Sequence, residues 1–143
     1  MKDSQRSKVY AWENYLPKGE HIPFDKIPEV VNDVWSKMGL MYPPLVKEMP
    51  KQATTKMADA TRFTLRFGVD GCCYRIILHE IAHSMTSKVE GISHQHNEVF
   101  VGMYMVLMDR FMKLDPNMLY QSAEMCGVKF TKNEKPRVTN DWN

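Results

Sequence analysis

Residues 71–86 read GCCYRIILHEIAHSMT, and this stretch decides what the rest of the chain must supply. Tyr74, Ile77, Leu78, Ile81 and Met85 recur at i, i+3, i+4, i+7 and i+11, the apolar stripe of a helix facing a core. His79 and His83 stand four residues apart on another face, so both imidazoles can reach one metal ion. The helical repeat turns Glu80 about 100° away from His79, which sets its carboxylate beside such an ion rather than on it. The spacing therefore predicts a helix over 71–86 with a core face and a separate H-E-I-A-H face. From the chain's own His and Glu frequencies, chance would produce this pattern in roughly 1% of chains of this length, so coincidence is a poor explanation.

Working outward, residues 61–69 alternate Phe63, Leu65 and Phe67 with Arg62, Thr64 and Arg66, the period of a strand with one buried face. Gly68, Asp70 and Gly71 end that pattern, and Asp70 is placed to cap the helix that follows. Upstream, Val9, Trp12 and Leu16 mark a helix over 4–15, and Ile27, Val30, Val31, Val34 and Met38 mark another over 24–38. Residues 41–50 hold Pro43, Pro44 and Pro50, which suits a connector or edge strand. Downstream, a helix is expected over 97–112, and Asp115 with Pro116 opens a shorter one ending near Gly127. Residues 128–130 could add a strand, and the polar stretch 131–143 is expected to fray at its end. The sum is a helix-rich α+β fold with a small sheet. It is one domain over 1–143: helices and connector in 1–58, strand and metal-bearing helices in 59–127, and a tail in 128–143.

Composition agrees with that size. A chain of 143 residues can bury one real core and is too short for two ordinary domains. With 43% hydrophobic and 25% charged residues it reads as a globular chain, and nothing approaches a membrane-spanning run. Residues 1–8 lack the apolar middle of a secretory signal, so a cytoplasmic location is expected. Three cysteines, two of them adjacent, make no disulfide framework. A net charge of +2 gives no strong case for a nucleic-acid partner and does not exclude one, and oligomeric state is not legible. Twelve methionines, many at helical spacing, are expected to fill the core.

A catalytic zinc site takes three protein ligands and keeps one position open, so a third ligand is needed. His21 lies far upstream in a turn bounded by Gly and Pro, leaving His94 and His96. His96 is favoured because it precedes Phe100, Met103, Leu107 and Phe111, an apolar face whose inward direction it can share, with Ser93 or Asn97 as the cap. His94 suits the surface or a substrate contact. Glu90 and Glu98 are weaker carboxylate candidates, and Glu98 is simply explained as a negative charge in a first helical turn. Cys72 and Cys73 stand nearly two turns before His79, too far along a helix to share its metal, and read as buried structural thiols. Tyr104, Tyr74 and His94, in that order, are the candidates for a donor to a developing oxyanion or substrate. The acceptors that would orient the ligand imidazoles stay open among Asp70, Glu90, Asp109 and a backbone carbonyl.

The pairing of H-E-I-A-H with a downstream H-N-E-V-F, residues 96–100, resembles the SprT or Spartan-like zinc metallopeptidases, whose pattern is H-E-x-x-H followed by H-G-x-x-F. The likeness spans residues 61–111. It implies a zincin-like active-site helix, one Zn²⁺ per chain held by His79, His83 and His96, Glu80 as catalytic base, and a polypeptide substrate. Asn97 departs from the pattern's Gly, and no four-cysteine zinc ribbon follows, which weakens any link to DNA-crosslink repair. Residues 3–15 also resemble the opening of small predicted metallopeptidases encoded by phages and bacteria. A noncatalytic zinc scaffold for protein or nucleic acid is the alternative, against which an intact Glu80 argues, since a structural site needs no base. Amide hydrolysis in bacterial cell wall would share the chemistry and differ in substrate.

Overall fold

The computed structural model describes residues 3–50, 58–87 and 95–138. In chain order they form α1 (Arg6–Glu13), β1 (His21–Ile22), a 3-10 turn (Phe24–Lys26) running into α2 (Ile27–Lys37), β2 (Leu45–Glu48), β3 (Ala58–Ala60), β4 (Thr64–Phe67), β5 (Cys72–Cys73), α3 (Tyr74–Thr86), α4 (Glu98–Met112) and α5 (Pro116–Met125). Five helices and two small sheets make this the expected α+β fold. Among the described residues no helix is long and apolar enough to cross a membrane.

The predicted helices all form, each a little shorter than its apolar period, because the first and last turns need partners the period does not encode. The α5 start is clear from sequence: Pro116 fills the first turn and the Asp115 carboxylate accepts the Asn117 N–H at 2.9 Å. Of the expected core stripe, Ile77, Leu78, Ile81 and Met85 are fully buried, and Tyr74 is half-buried. The α3 helix is buried nearly all round, with α4 packed along it and β3, β4, β5 and α2 also against it. Met85, Met103, Met105 and Met108 do lie in the core. Burying side chains of this size contributes about 1.5–3 kcal/mol each.

The strand expected over 61–69 is confined to β4, where Leu65 and Phe67 are buried as predicted. It sits centrally, parallel to β2 on one edge and antiparallel to β3 on the other. Thr61 closes the β3–β4 turn, its hydroxyl accepting from the Thr64 N–H at 3.1 Å. The Ser84 hydroxyl then ties this hairpin to α3 by donating to the Arg62 carbonyl at 2.6 Å.

Sequence readings are corrected in two regions, the start of α3 with the β1 strand beside it, and residues 128–138. Residues 71–73 are not helical: Cys72 and Cys73 form β5, antiparallel to β1, with Gly71 at φ +77° making the turn. A Cβ on Gly71 would lie 2.1 Å from the Ile22 carbonyl oxygen, so this approach requires glycine. Asp70 does not cap α3. Its opening N–H groups are met by carbonyls instead, Tyr74 by Glu20 at 2.8 Å and Arg75 by Lys18 at 3.0 Å. His21, expected in a solvated turn, is an exposed β1 residue whose Nε2 lies 2.8 Å from the Asp70 carbonyl oxygen.

The second correction concerns residues 128–138. No strand forms over 128–130; the Gln5 amide holds Lys129 on both sides, accepting its N–H at 2.6 Å and donating to its carbonyl at 3.2 Å. The polar stretch beyond is docked, Thr131 N–H on the Glu98 carbonyl at 3.2 Å and Arg137 N–H on that of Met85 at 2.8 Å. The end expected to fray, 139–143, lies outside the described residues.

Candidate metal centre

His79 and His83 project from the middle of α3, and His96 meets them from the segment that enters α4. His96 is not in the first helical turn, because Asn97 is the cap: its side chain accepts from the Phe100 N–H at 2.9 Å, which sets His96 one residue before it. Asn is among the residues most favoured at such a cap. His96 Nε2 lies 3.3 Å from His79 Nε2 and 3.4 Å from His83 Nε2. All three donor atoms lie within 4.8 Å of one another, and all three residues are buried.

The donor set fits a zinc ion on two grounds. Two nitrogens about 2.0–2.1 Å from a tetrahedral ion stand about 3.3–3.4 Å apart, which is what these pairs show. The second ground is the direction of the lone pairs. His79 Nδ1 lies 2.9 Å from Glu13 Oε2, and His96 Nδ1 lies 2.7 Å from Asp3 Oδ2. A carboxylate only accepts, so each Nδ1 carries the hydrogen and, in the neutral ring, each Nε2 turns a lone pair inward. Buried lone pairs aimed at one point repel unless a cation stands between them.

Around this point the packing is aromatic. Phe100 is the floor, its ring centroid 4.0 Å from that of His83, 5.0 Å from His79 and 5.2 Å from His96. The phenylalanine of the H-N-E-V-F pattern thus has a packing role, one helical turn beyond the ligand. Glu80 is buried, with Oε2 4.0 Å from His79 Nε2, so a carboxylate stands beside the ligand cluster as the helical repeat predicts.

Asp3 and Glu13 are the functional residues that sequence reasoning missed. Asp3 also accepts the His96 backbone N–H at 3.2 Å, and Gln5 donates to the His96 carbonyl at 2.9 Å, so the imidazole is fixed from both ends. Glu13 Oε2 additionally accepts from the Tyr104 hydroxyl at 2.6 Å, with Arg75 Nε 3.8 Å away. Burial opposes charge at Glu13, yet the His79 hydrogen bond and charge, then Tyr104 and Arg75, hold its carboxyl below the ordinary range. Burial also works against charge on His79, and is outweighed by the Glu80 charge and the Glu13 hydrogen bond, which raise the imidazole above its usual value. At His96 burial prevails over the Asp3 hydrogen bond, favouring the neutral form that binds metal.

The other expected site residues fall elsewhere. Tyr104 is fully buried and its hydroxyl is committed to Glu13, on the Nδ1 side of His79, so it orients a ligand and does not face a substrate. Burial and the Glu13 charge push this phenol well above its ordinary pKa, which keeps it a donor. Tyr74 opens α3, five residues before His79 and about 140° around the helix from it, and does not join the cluster. His94, Glu90 and Ser93 lie outside the described residues. The Asp70 carbonyl meets His21 instead, Asp109 is an exposed residue of α4, and Glu98 sits in the first turn of α4 as expected. Cys72 is a buried free thiol, pushed up to about 12 by burial and by the charges of Cys73 and Glu80. Tyr10, unremarked in the sequence, packs on two of the ligands, its ring centroid 5.2 Å from that of His96 and 6.4 Å from that of His79.

No family model, curated protein or solved structure matches the chain.

Proposed function

We propose that the chain is a zinc-dependent hydrolase of the SprT-like metallopeptidase kind, cutting peptide bonds with Glu80 as general base. The convergence of His79, His83 and His96 beside the Glu80 carboxylate carries this reading. A purely structural site takes four protein ligands, whereas the three that converge among the described residues leave the position that catalysis uses. Peptide bonds are the expected target because of the resemblance borne by H-E-I-A-H and H-N-E-V-F.

His79, His83 and His96 would hold the ion, with Glu13 and Asp3 fixing the tautomer and direction of two of them. When bound, zinc acidifies water and polarises a carbonyl group. Glu80 accepts the proton of the attacking water as the oxygen adds to the carbonyl carbon, then delivers it to the amine nitrogen as the C–N bond breaks. Phe100 and the buried ring cluster keep bulk water from the ligands, which strengthens each of these charge interactions.

Elemental analysis of the purified chain beside a Glu80→Gln variant, both assayed on an unfolded protein substrate, tests the reading. We expect about one zinc per chain in both, from the three-ligand rule, and cleavage by the unmodified chain alone. Equal cleavage by the two would remove Glu80 as base. Zinc without cleavage under any condition would turn the centre into a noncatalytic scaffold.

A further inference from the structure

One face of α1 supplies what the ligand histidines need from outside. With Asp3 counted as its continuation, Asp3, Arg6, Tyr10 and Glu13 fall within an arc of about 80°. The two ends of this stripe are engaged, Asp3 with His96 and Glu13 with His79. The two residues between them are not. The Tyr10 hydroxyl and the Arg6 guanidinium make no hydrogen bond or ion pair among the described residues; their contacts are with rings.

Their placement is what a substrate-facing pair requires. His79 and His96 are 6% and 7% exposed, whereas Tyr10, lying against both rings, is 44% exposed and so joins the ligand cluster to solvent. The Arg6 guanidinium carbon lies 5.7 Å from the Tyr10 ring centroid, which itself lies 5.2 Å from that of His96. Those two steps put the cation within about three extended residues of the ligands, at about 3.3–3.6 Å per residue. A phenolic donor beside the reacting carbonyl, followed by a lone guanidinium, matches a chain that carries a carboxylate near the bond to be cut. Arginine holds a carboxylate through two parallel N–H donors, a recognition that an amide cannot reproduce.

Resting on the hydrolase reading above, we infer that Tyr10 and Arg6 form the substrate wall of the centre. Tyr10 donates to the carbonyl oxygen under attack, and Arg6 selects substrates bearing a carboxylate close to it, from either an acidic side chain or a free C-terminus.

The test uses the full chain loaded with Co²⁺, whose visible spectrum reports ligand binding without turnover. It is titrated with peptide hydroxamates in matched pairs: a free C-terminal carboxylate against its amide, and an internal Glu against Gln in an amidated peptide. At least one acid probe should bind about tenfold to a hundredfold tighter than its neutral partner, the range of a charge-assisted hydrogen bond, and the pair that does so names the source of the carboxylate. Arg6→Gln should bring that ratio near one. Tyr10→Phe should weaken every hydroxamate about twofold to tenfold while the spectrum before titration stays that of the parent. If neither acid probe gains over its partner, or the gain survives Arg6→Gln, the selection by Arg6 is overturned, with the metal centre intact. If Tyr10→Phe binds every probe like the parent, the Tyr10 donor is overturned. A chain that takes up no Co²⁺ would overturn both this inference and the function it rests on.

Discussion

Glu13 is the residue on which the most chemistry converges: one carboxylate oxygen accepts from a ligand imidazole and from a buried phenol, with Arg75 close by. The Arg75 guanidinium also donates to the Glu13 and Leu16 carbonyls at 3.0 and 3.1 Å, so the backbone carrying Glu13 is held by the group that balances its charge. Replacing it with Gln keeps the shape and an accepting oxygen but removes the charge, so His79 loses the charge-assisted bond that holds its tautomer. Outer partners of this kind are worth about 10- to 100-fold in metal affinity, and a chelator-competition titration of Glu13→Gln should show a loss of that order. Tyr104→Phe should lose less, since it removes one donor to Glu13 and leaves the ion pair. A Glu13→Gln affinity equal to the parent would show that the Glu13 charge contributes nothing to the hold on His79. The convergence of the three histidines was legible because four-residue spacing is a local property of a helix, and Phe100 to Phe111 indicated where His96 would point. Asp3 and Glu13 were not, since 93 and 66 residues separate them from the imidazoles they hold, and no periodicity spans such a gap. Tyr104 was correctly placed near the centre but given the wrong end of the imidazole, a distinction that depends on where α1 packs.

Among the elements, the helices were readable and the small strands were not. A two- or three-residue strand such as β1, β3 or β5 is too short to show alternation, and Cys72 and Cys73 read as helix because nothing local tells of His21 and Ile22 beside them. Gly102, in the middle of α4, has the same lesson in reverse. Glycine there costs about 1 kcal/mol of helix propensity relative to alanine, with no reason visible in the sequence. The fold supplies one: residues 128–138 cross α4 at this point, and a Cβ on Gly102 would lie 2.3 Å from Thr131 Oγ1 and 2.5 Å from its carbonyl oxygen. Overpacking of this kind costs about 1–3 kcal/mol, so Gly102→Ala should destabilise by up to about 2 kcal/mol once the propensity gain is subtracted. Denaturant unfolding measures this directly. A stabilised variant would mean that the crossing segment yields at little cost. Displacing that segment also strains the contact of Lys129 with Gln5, and Gln5 holds the His96 carbonyl, so the effect should reach the metal centre.

At the scale of the whole molecule, the centre ties α1 to the closely packed pair of α3 and α4. Two ligands come from α3 and one from the entry to α4, and through Glu13 and Asp3 two of the three are tied to α1 and the residue just before it. An ion that fixes the imidazoles therefore also fixes the stripe that carries Arg6 and Tyr10. At free zinc a thousandfold above its dissociation constant, binding contributes about 4 kcal/mol to stability, and stripping it with a chelator should lower Tm by about 10 °C in a chain of this size. The imidazoles must give up protons to bind, and Glu80 and Glu13 hold His79 above its usual value, so this increment should shrink as pH falls, starting above the ordinary imidazole range. Amide hydrogen exchange locates the coupling. Metal loading should slow exchange in α1 as well as α3, beyond the change seen in α2, whose residues hold none of the ligands. Protection confined to α3 and α4 would mean that the carboxylates follow the imidazoles without restraining them. Protection that includes α1 would make the substrate wall a product of metal binding, ordered only once the ion it serves is in place.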